Sequence, residues 1–170
     1  MTRLPQALLL TGTIGAGKTA IAVGIGRRLE DAGHSAAVVD LDWLGWVHRA
    51  QITPAQMIAA NLAAIWPNLV NAGIEYVVLA RGLRSSEELD AIRGAVLGSP
   101  LKVVRIVSSR ELIEQRLRRR DAGAVLEEHL AESRDFDATG AELADITVEN
   151  DRRRVETVAA EILAAAGRPG

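Results

Sequence analysis

The chain has no cysteine. Disulfides, cysteine-ligated zinc and a thiol nucleophile are therefore excluded, and the composition fits a reducing compartment. Aromatic residues make up only 3% of a chain that is 48% hydrophobic, so the core must be built from Leu, Ile, Val and Ala. An excess of one charge is also lacking. The formal net charge is −2, which argues against bulk attraction to nucleic acid or an anionic membrane. The first apolar run, Ala7-Leu8-Leu9-Leu10-Thr11, is too short for a signal peptide or a membrane span. The expected location is the cytoplasm. His34, His48 and His129 show no metal-ligand spacing and read as structural or exposed. There is no internal repeat and no linker, and 170 residues point to one domain over 1–170.

What the chain does have is Gly12-Thr13-Ile14-Gly15-Ala16-Gly17-Lys18-Thr19. This fits G-x-x-x-x-G-K-[ST], the phosphate-binding loop, in full. The apolar run before it reads as a buried strand. After it, Ile21, Ile25 and Leu29 fall on one helix face. A chance glycine-rich turn would not carry that context. Glycines let successive backbone N–H groups turn inward around phosphate oxygens, and the helix N-terminus adds partial positive charge. The expected nucleotide contacts are Thr13, Ile14, Gly15, Ala16, Gly17, Lys18, Thr19 and Ala20. Among them Lys18 should reach the β- and γ-phosphates, and the Thr19 hydroxyl should sit on Mg²⁺.

Downstream, strands alternate with helices. Ser35–Val39, Tyr76–Ala80, Leu101–Val107 and Ile146–Val148 read as further strands. Helices are expected from Thr53-Pro54, from Ser85 or Ser86, over 110–120, over 125–134 and from Asp151. Pro67 should kink or break the second helix one turn early, and 43–52 reads as irregular. Asp135 to Gly140 reads as a polar loop, with Asp135 and Asp137 solvated. Strands that are apolar throughout imply a sheet covered on both faces. The fold class is therefore a three-layer, mostly parallel α/β sandwich. Ligands should gather at the carboxyl ends of its strands.

Asp40 and Asp42 follow the second strand, and Arg81 and Arg84 follow the third. The two aspartates would share a face if the strand ran through them. They could then position a metal and accept a hydroxyl proton, or they could merely cap the next helix or be solvated. Arg81 and Arg84 make an anionic acceptor plausible. Trp43 and Trp46 could wall an acceptor pocket, but core filling is the expectation.

With these residues in place, the chain resembles the small-molecule and nucleotide kinase branch of phosphate-loop proteins, including shikimate kinases, adenylylsulfate kinases and chloramphenicol phosphotransferase. The resemblance implies the P-loop nucleotide-kinase fold, with a five-stranded parallel sheet of order 2-3-1-4-5. It places adenine near the fifth strand, with backbone groups at Asn150, and a small lid around 116–125. It implies Asp42 facing the acceptor hydroxyl and Asp40 nearer Mg²⁺. Arg116-Leu117-Arg118-Arg119-Arg120 is similar to the R-x-x-x-R of nucleotide kinases. That gives Arg116 for adenine and Arg120 for phosphate, with Arg119 an alternative and Arg118 a solvated face. The third strand ends Leu79-Ala80-Arg81 without the usual acidic residue, and no N-K-x-D motif is present. Ras-type GTPases and motor-like ATPases are thus disfavoured.

The expected activity is ATP- and Mg²⁺-dependent transfer of the γ-phosphate to a small-molecule hydroxyl, with Lys18, Asp42 and Arg120 catalytic. Alternatives are a nucleotide, nucleoside or polynucleotide 5′-hydroxyl kinase, or a non-catalytic ATP-binding module. No membrane or nucleic-acid partner is indicated, and a monomer or homodimer is expected.

Overall fold

The computed structural model describes residues 3–49, 51–135 and 141–169. Five strands form one sheet: β1 (Gln6–Thr11), β2 (Ala36–Asp40), β3 (Tyr76–Ala80), β4 (Leu101–Val107) and β5 (Ile146–Glu149). Their order is β2-β3-β1-β4-β5, and every pairing is parallel. This is the expected order. The helices are α1 (Lys18–Asp31), α2 (Pro54–Asn71), α3 (Ser86–Ala95), α4 (Arg110–Arg120), α5 (Gly123–Asp135) and α6 (Val155–Ala165).

Alternation along β1 splits the core in two. Leu8 and Leu10 point to the face covered by Ile21, Ile25 and Leu29 of α1 and Val158 and Ile162 of α6. Ala7 and Leu9 point to the other face, under Ile58, Leu62 and Trp66 of α2 and Leu89 and Ile92 of α3. Both faces are closed, so polar groups with a role in binding are left to the strand ends. Register sets which ends meet. Asp40 lies beside Ala80, and Ala80 beside Leu10. The chain leaves β1 toward β2 on one side and later returns to β4 on the other. The phosphate loop therefore opens at the point where strand order reverses, where a crevice forms between diverging connections.

The structure corrects several boundaries. Helix α2 runs through Pro67 to Asn71. An interior proline costs about 3 kcal/mol. Trp66 beside it is wholly buried, with its indole N–H donating to Ser99 Oγ at 3.2 Å, and burying a side chain of that size contributes roughly 3 kcal/mol. Strand β2 stops at Asp40, and Leu41–Leu44 is a short 3₁₀ turn. Helix α6 starts at Val155 and not at Asp151, whose carboxylate instead accepts from the Ser109 N–H at 2.8 Å. Arg152 is left-handed, with φ 50°, which keeps that segment out of the helix. Helix α5 starts earlier than expected, at Gly123, and extends to Asp135. Asp135 thus ends a helix, whereas Asp137 and the rest of the expected loop to Gly140 lie outside the described residues.

Candidate functional site

The loop from Gly12 to Thr19 can hold its shape only with glycine at critical places. At Gly12, φ is 142°, and a Cβ would meet the Ile106 carbonyl oxygen at 2.4 Å. At Gly17, φ is 98°, and a Cβ would meet Asn150 Nδ2 at 2.7 Å. The loop carbonyls are held by donors from elsewhere. Asn150, buried after β5, donates from Nδ2 to Ala16 O at 2.8 Å. Arg116 donates from Nη1 to Gly15 O at 3.1 Å and Ala16 O at 3.3 Å, and from Nη2 to Asn150 O at 2.9 Å. Lys18 Nζ reaches back to Gly12 O at 2.9 Å and Thr13 O at 3.1 Å. With the carbonyls engaged, the backbone N–H groups are the loop's remaining polar resource. No side chain among the described residues caps α1, whose N-cap is Gly17. The orphan N–H groups of its first turn are a ready anion site. Burial pushes the Lys18 ammonium below its ordinary pKa, against the pull of Asp42 and Asp40. Such a desolvated cation gains from an incoming phosphate.

The loop opens into a cavity of about 630 Å³. Ile14, Gly15, Gly17, Lys18, Thr19 and Ala20 line it, whereas Thr13 and Ala16 lie buried behind. The Thr13 hydroxyl has no partner among the described residues, and Thr13 lines a separate small cavity with Gly12 and Ser108.

The opposite wall comes from the turn after β2. Asp40 does two things. Its Oδ1 accepts from the Asp42 N–H at 3.1 Å, capping the 3₁₀ turn, and its Oδ2 accepts from Thr19 Oγ1 at 2.7 Å. Because the strand ends at Asp40, it is this turn, and not strand alternation, that brings Asp42 to the same cavity. Asp42 Oδ1 accepts from Arg81 Nη1 at 2.5 Å. The other side of that guanidinium donates to Glu88 Oε1, from Nε at 3.1 Å and Nη2 at 2.6 Å. Burial alone would lower the Arg81 pKa, but its bonds to Glu88 and Asp42 outweigh that and raise it.

Glu88, which the sequence does not single out, is the other partner of Arg81 at this wall. It is buried, and its second oxygen accepts from the Arg84 N–H at 2.9 Å. The available signal was the spacing Ser85-x-x-Glu88, a helix-capping pattern; Ser85 Oγ does accept from the Glu88 N–H at 3.3 Å.

Trp43 and Trp46 are not core. They are 70% and 64% exposed, and both line the cavity. The wholly buried Leu41 and the contact of Gly45 with Ile58 seat the turn inward, so the neighbouring indoles point out. Arg84 stands one step away. It pairs with Glu132 and lines a side cavity of about 280 Å³ that shares Lys18, Asp42 and Arg81 with the main one.

Helix α4 supplies the remaining wall, with Arg116, Leu117 and Arg120 lining the cavity. Arg118 and Arg119 are exposed and do not. Arg120 donates from Nε and Nη2 to Asp121, each at 2.9 Å. That guanidinium, with His129 on the same carboxylate, holds the Asp121 pKa down at about 2.

No group of three or more His, Cys, Asp or Glu side chains among the described residues could hold a metal alone. Mg²⁺ does not need one: it keeps waters and takes one or two carboxylates plus substrate phosphate oxygens. The Thr19 hydroxyl against Asp40 at the phosphate loop fits that donor set.

No family model matches the chain, and no curated protein matches it. Solved structures do. A sugar kinase from Janibacter sp. HTCC2649 superposes with a TM-score of 0.65 at 16% identity, covering 96% of this chain and 95% of that one. The APS kinase of Mycobacterium tuberculosis, solved with AMPPNP and APS, gives 0.63 at 18% identity, covering 96% and 98%. Shikimate kinase from Acinetobacter baumannii, solved with shikimate, gives 0.61 at 19%, covering 95% and 93%. At these identities the likeness establishes the fold, which is the three-layer fold of these kinases. No helix among the described residues is long and apolar enough to cross a membrane.

Proposed function

We propose that the chain is a cytoplasmic ATP- and Mg²⁺-dependent phosphotransferase that moves the γ-phosphate of ATP to a hydroxyl of a small molecule. One observation carries this reading. The phosphate-loop residues Lys18 and Thr19 share a single cavity with two carboxylates, Asp40 and Asp42, at the end of β2. Phosphoryl transfer to an alcohol needs phosphate donors, a metal position and a proton acceptor within a few ångströms of one another. The sugar, gluconate and shikimate kinases that share the fold support an alcohol acceptor.

In this reading the loop N–H groups and Lys18 hold the phosphates, and Thr19 and Asp40 hold the metal. A Mg²⁺ ion held there would neutralise negative charge developing on the transferred phosphate. Asp42, oriented through Oδ1 by Arg81, uses Oδ2 to accept the acceptor proton. A bond forms from the acceptor oxygen to the γ-phosphorus, the bond to the β–γ bridging oxygen breaks, and ADP leaves. Glu88 is a positioning residue that acts through Arg81. Arg116 has its Nη donors on backbone carbonyls and the Ser108 hydroxyl, which leaves the guanidinium faces to stack on adenine. Arg120 exchanges Asp121 for phosphate oxygens when the short lid around 116–125 closes.

The test is an acceptor screen with purified protein, ATP and Mg²⁺, read as ADP release and as a new phosphate monoester. A nucleoside monophosphate that outperforms every alcohol would move the assignment to nucleotide kinases. ATP binding without ADP release across the screen would leave a binding module.

A further inference from the structure

Trp43 and Trp46 are two of the chain's three tryptophans. Their rings lie 5.0 Å apart, tilted by 49°, and both are mostly open to solvent. Two adjacent exposed indoles lining a cavity are a candidate binding surface. The turn that carries them is anchored. Trp43 lies within it and Trp46 two residues after it, and it is held by buried Leu41 and by Asn61 Nδ2 donating to Leu44 O at 2.7 Å; Trp43 directly follows Asp42.

The charge beside them narrows what they would bind. Arg81, the cation on this wall, is engaged on one edge by Glu88 and on the other by Asp42. Arg84 is paired with Glu132. An anion entering beside the indoles would face Asp40, Asp42 and the negative faces of two rings, and would have to displace a carboxylate from Arg81 or Arg84 to gain a cation on this wall. An ammonium group would take Asp42 itself and leave the reacting hydroxyl without its proton acceptor. A saturated ring has neither problem. Its C–H face is apolar and weakly positive, which suits an indole face, and its hydroxyls project from the edge toward carboxylates.

We propose that Trp43 and Trp46 form the acceptor platform, and that the acceptor is an uncharged ring-bearing alcohol laid with its C–H face on the indoles and one hydroxyl at Asp42. This rests on the phosphotransfer reading above and replaces the anionic acceptor that Arg81 and Arg84 made plausible.

Trp66 is wholly buried, so acrylamide quenching reports on Trp43 and Trp46. The probes are methyl glucoside, N-acetylglucosamine, myo-inositol and uridine, against glucuronate, gluconate and glucosamine, each at high millimolar concentration with and without ADP. At least one uncharged ring should protect the fluorescence, and its charged counterparts should not. With ATP, the same ring should release ADP. Trp43→Ala and Trp46→Ala should each raise its KM roughly tenfold or more, with ATP affinity unchanged, and the Phe variants should recover most of the loss. Protection without ADP release would uphold the platform and sink the phosphotransfer reading. ADP release whose acceptor KM ignores both alanine variants would sink the platform and leave phosphotransfer standing. Tighter binding of a charged probe, or protection by none of the uncharged rings, also overturns the proposal.

Discussion

The wall of the cleft formed by Gly12–Thr19 is shaped by backbone, and its carbonyls are tied by Asn150, Arg116 and Lys18. The wall formed by Asp40–Trp46 is shaped by side chains: Asp40 caps its own turn, and Arg81 and Glu88 hold Asp42. The first wall depends on glycine at positions where any Cβ would collide. The second depends on a row of charges, carboxylate–guanidinium–carboxylate, in which each member orients the next. A backbone cradle fits any phosphate chain and has little freedom to vary. A side-chain wall can be rebuilt for a new acceptor without disturbing the fold. The chain shares its fold with several solved kinases at only 16–20% identity.

If the two walls are separate devices, damage to one should spare the other. The largest effect is expected from Lys18→Ala. Two or three charge-assisted contacts to phosphate are lost, and ATP affinity should fall by roughly 10²-fold or more. The fold should persist, because Lys18 packs against loop carbonyls and not in either core. Calorimetric titration with ATP beside a thermal melt checks both. Equal ATP affinity in wild type and variant would remove the basis for the donor wall.

Glu88→Gln should act next most strongly, and on the opposite wall. It leaves the half-buried guanidinium of Arg81 with a neutral partner on the edge away from Asp42, at a cost of about 1–3 kcal/mol in stability. Through Arg81 it should loosen Asp42 and lower kcat by roughly tenfold, with ATP affinity unchanged. Denaturant melts and steady-state kinetics separate these effects. A variant that loses stability but keeps kcat would reduce Glu88 to a fold residue.

The smallest expected effect is protonic. Burial lowers the Lys18 pKa in the folded protein, so an unfolded lysine holds its proton to higher pH. Over the window between the lowered value and 10.5 the fold therefore gains stability as pH rises, because the unfolded chain binds more protons there. ATP phosphates favour the ammonium form. Binding ATP within that same window should draw in less than one proton per ATP. Calorimetry in two buffers of different ionisation enthalpy measures the uptake, and identical enthalpies in both would contradict it.

The donor wall was legible in the sequence because its parts are contiguous. Eight adjacent residues, flanked by a strand and a helix, state the loop and its chemistry together. The sheet was legible because each strand is an apolar run closed on both faces. The opposite wall, Asp40–Trp46, was not, because its contacts cross the chain. Asp42 meets Arg81 across 39 residues, and Arg81 meets Glu88 seven further on. No local pattern announces such a pair, and Ser85-x-x-Glu88 reads first as a cap. The tryptophans were misplaced for a related reason. Hydrophobic composition assigns a tryptophan to the core, but a turn anchored by Leu41 forces its neighbours outward. Pro67 was misjudged because local propensity says nothing of the buried Trp66 beside it.

In the proposed reaction, donor binding and acceptor activation lie on separate walls and meet at Asp42. Asp42→Asn keeps size and polarity but cannot take a proton. ATP affinity by calorimetry and kcat by ADP release should be measured on the same preparation, with the alcohol that wild type phosphorylates. The account predicts ATP affinity within a few-fold of wild type and kcat lower by ~10²–10⁴-fold, nearer the lower figure because the proton moves late in a loose transition state. A kcat equal to wild type, or a loss of ATP affinity that tracks the loss of turnover, would contradict it.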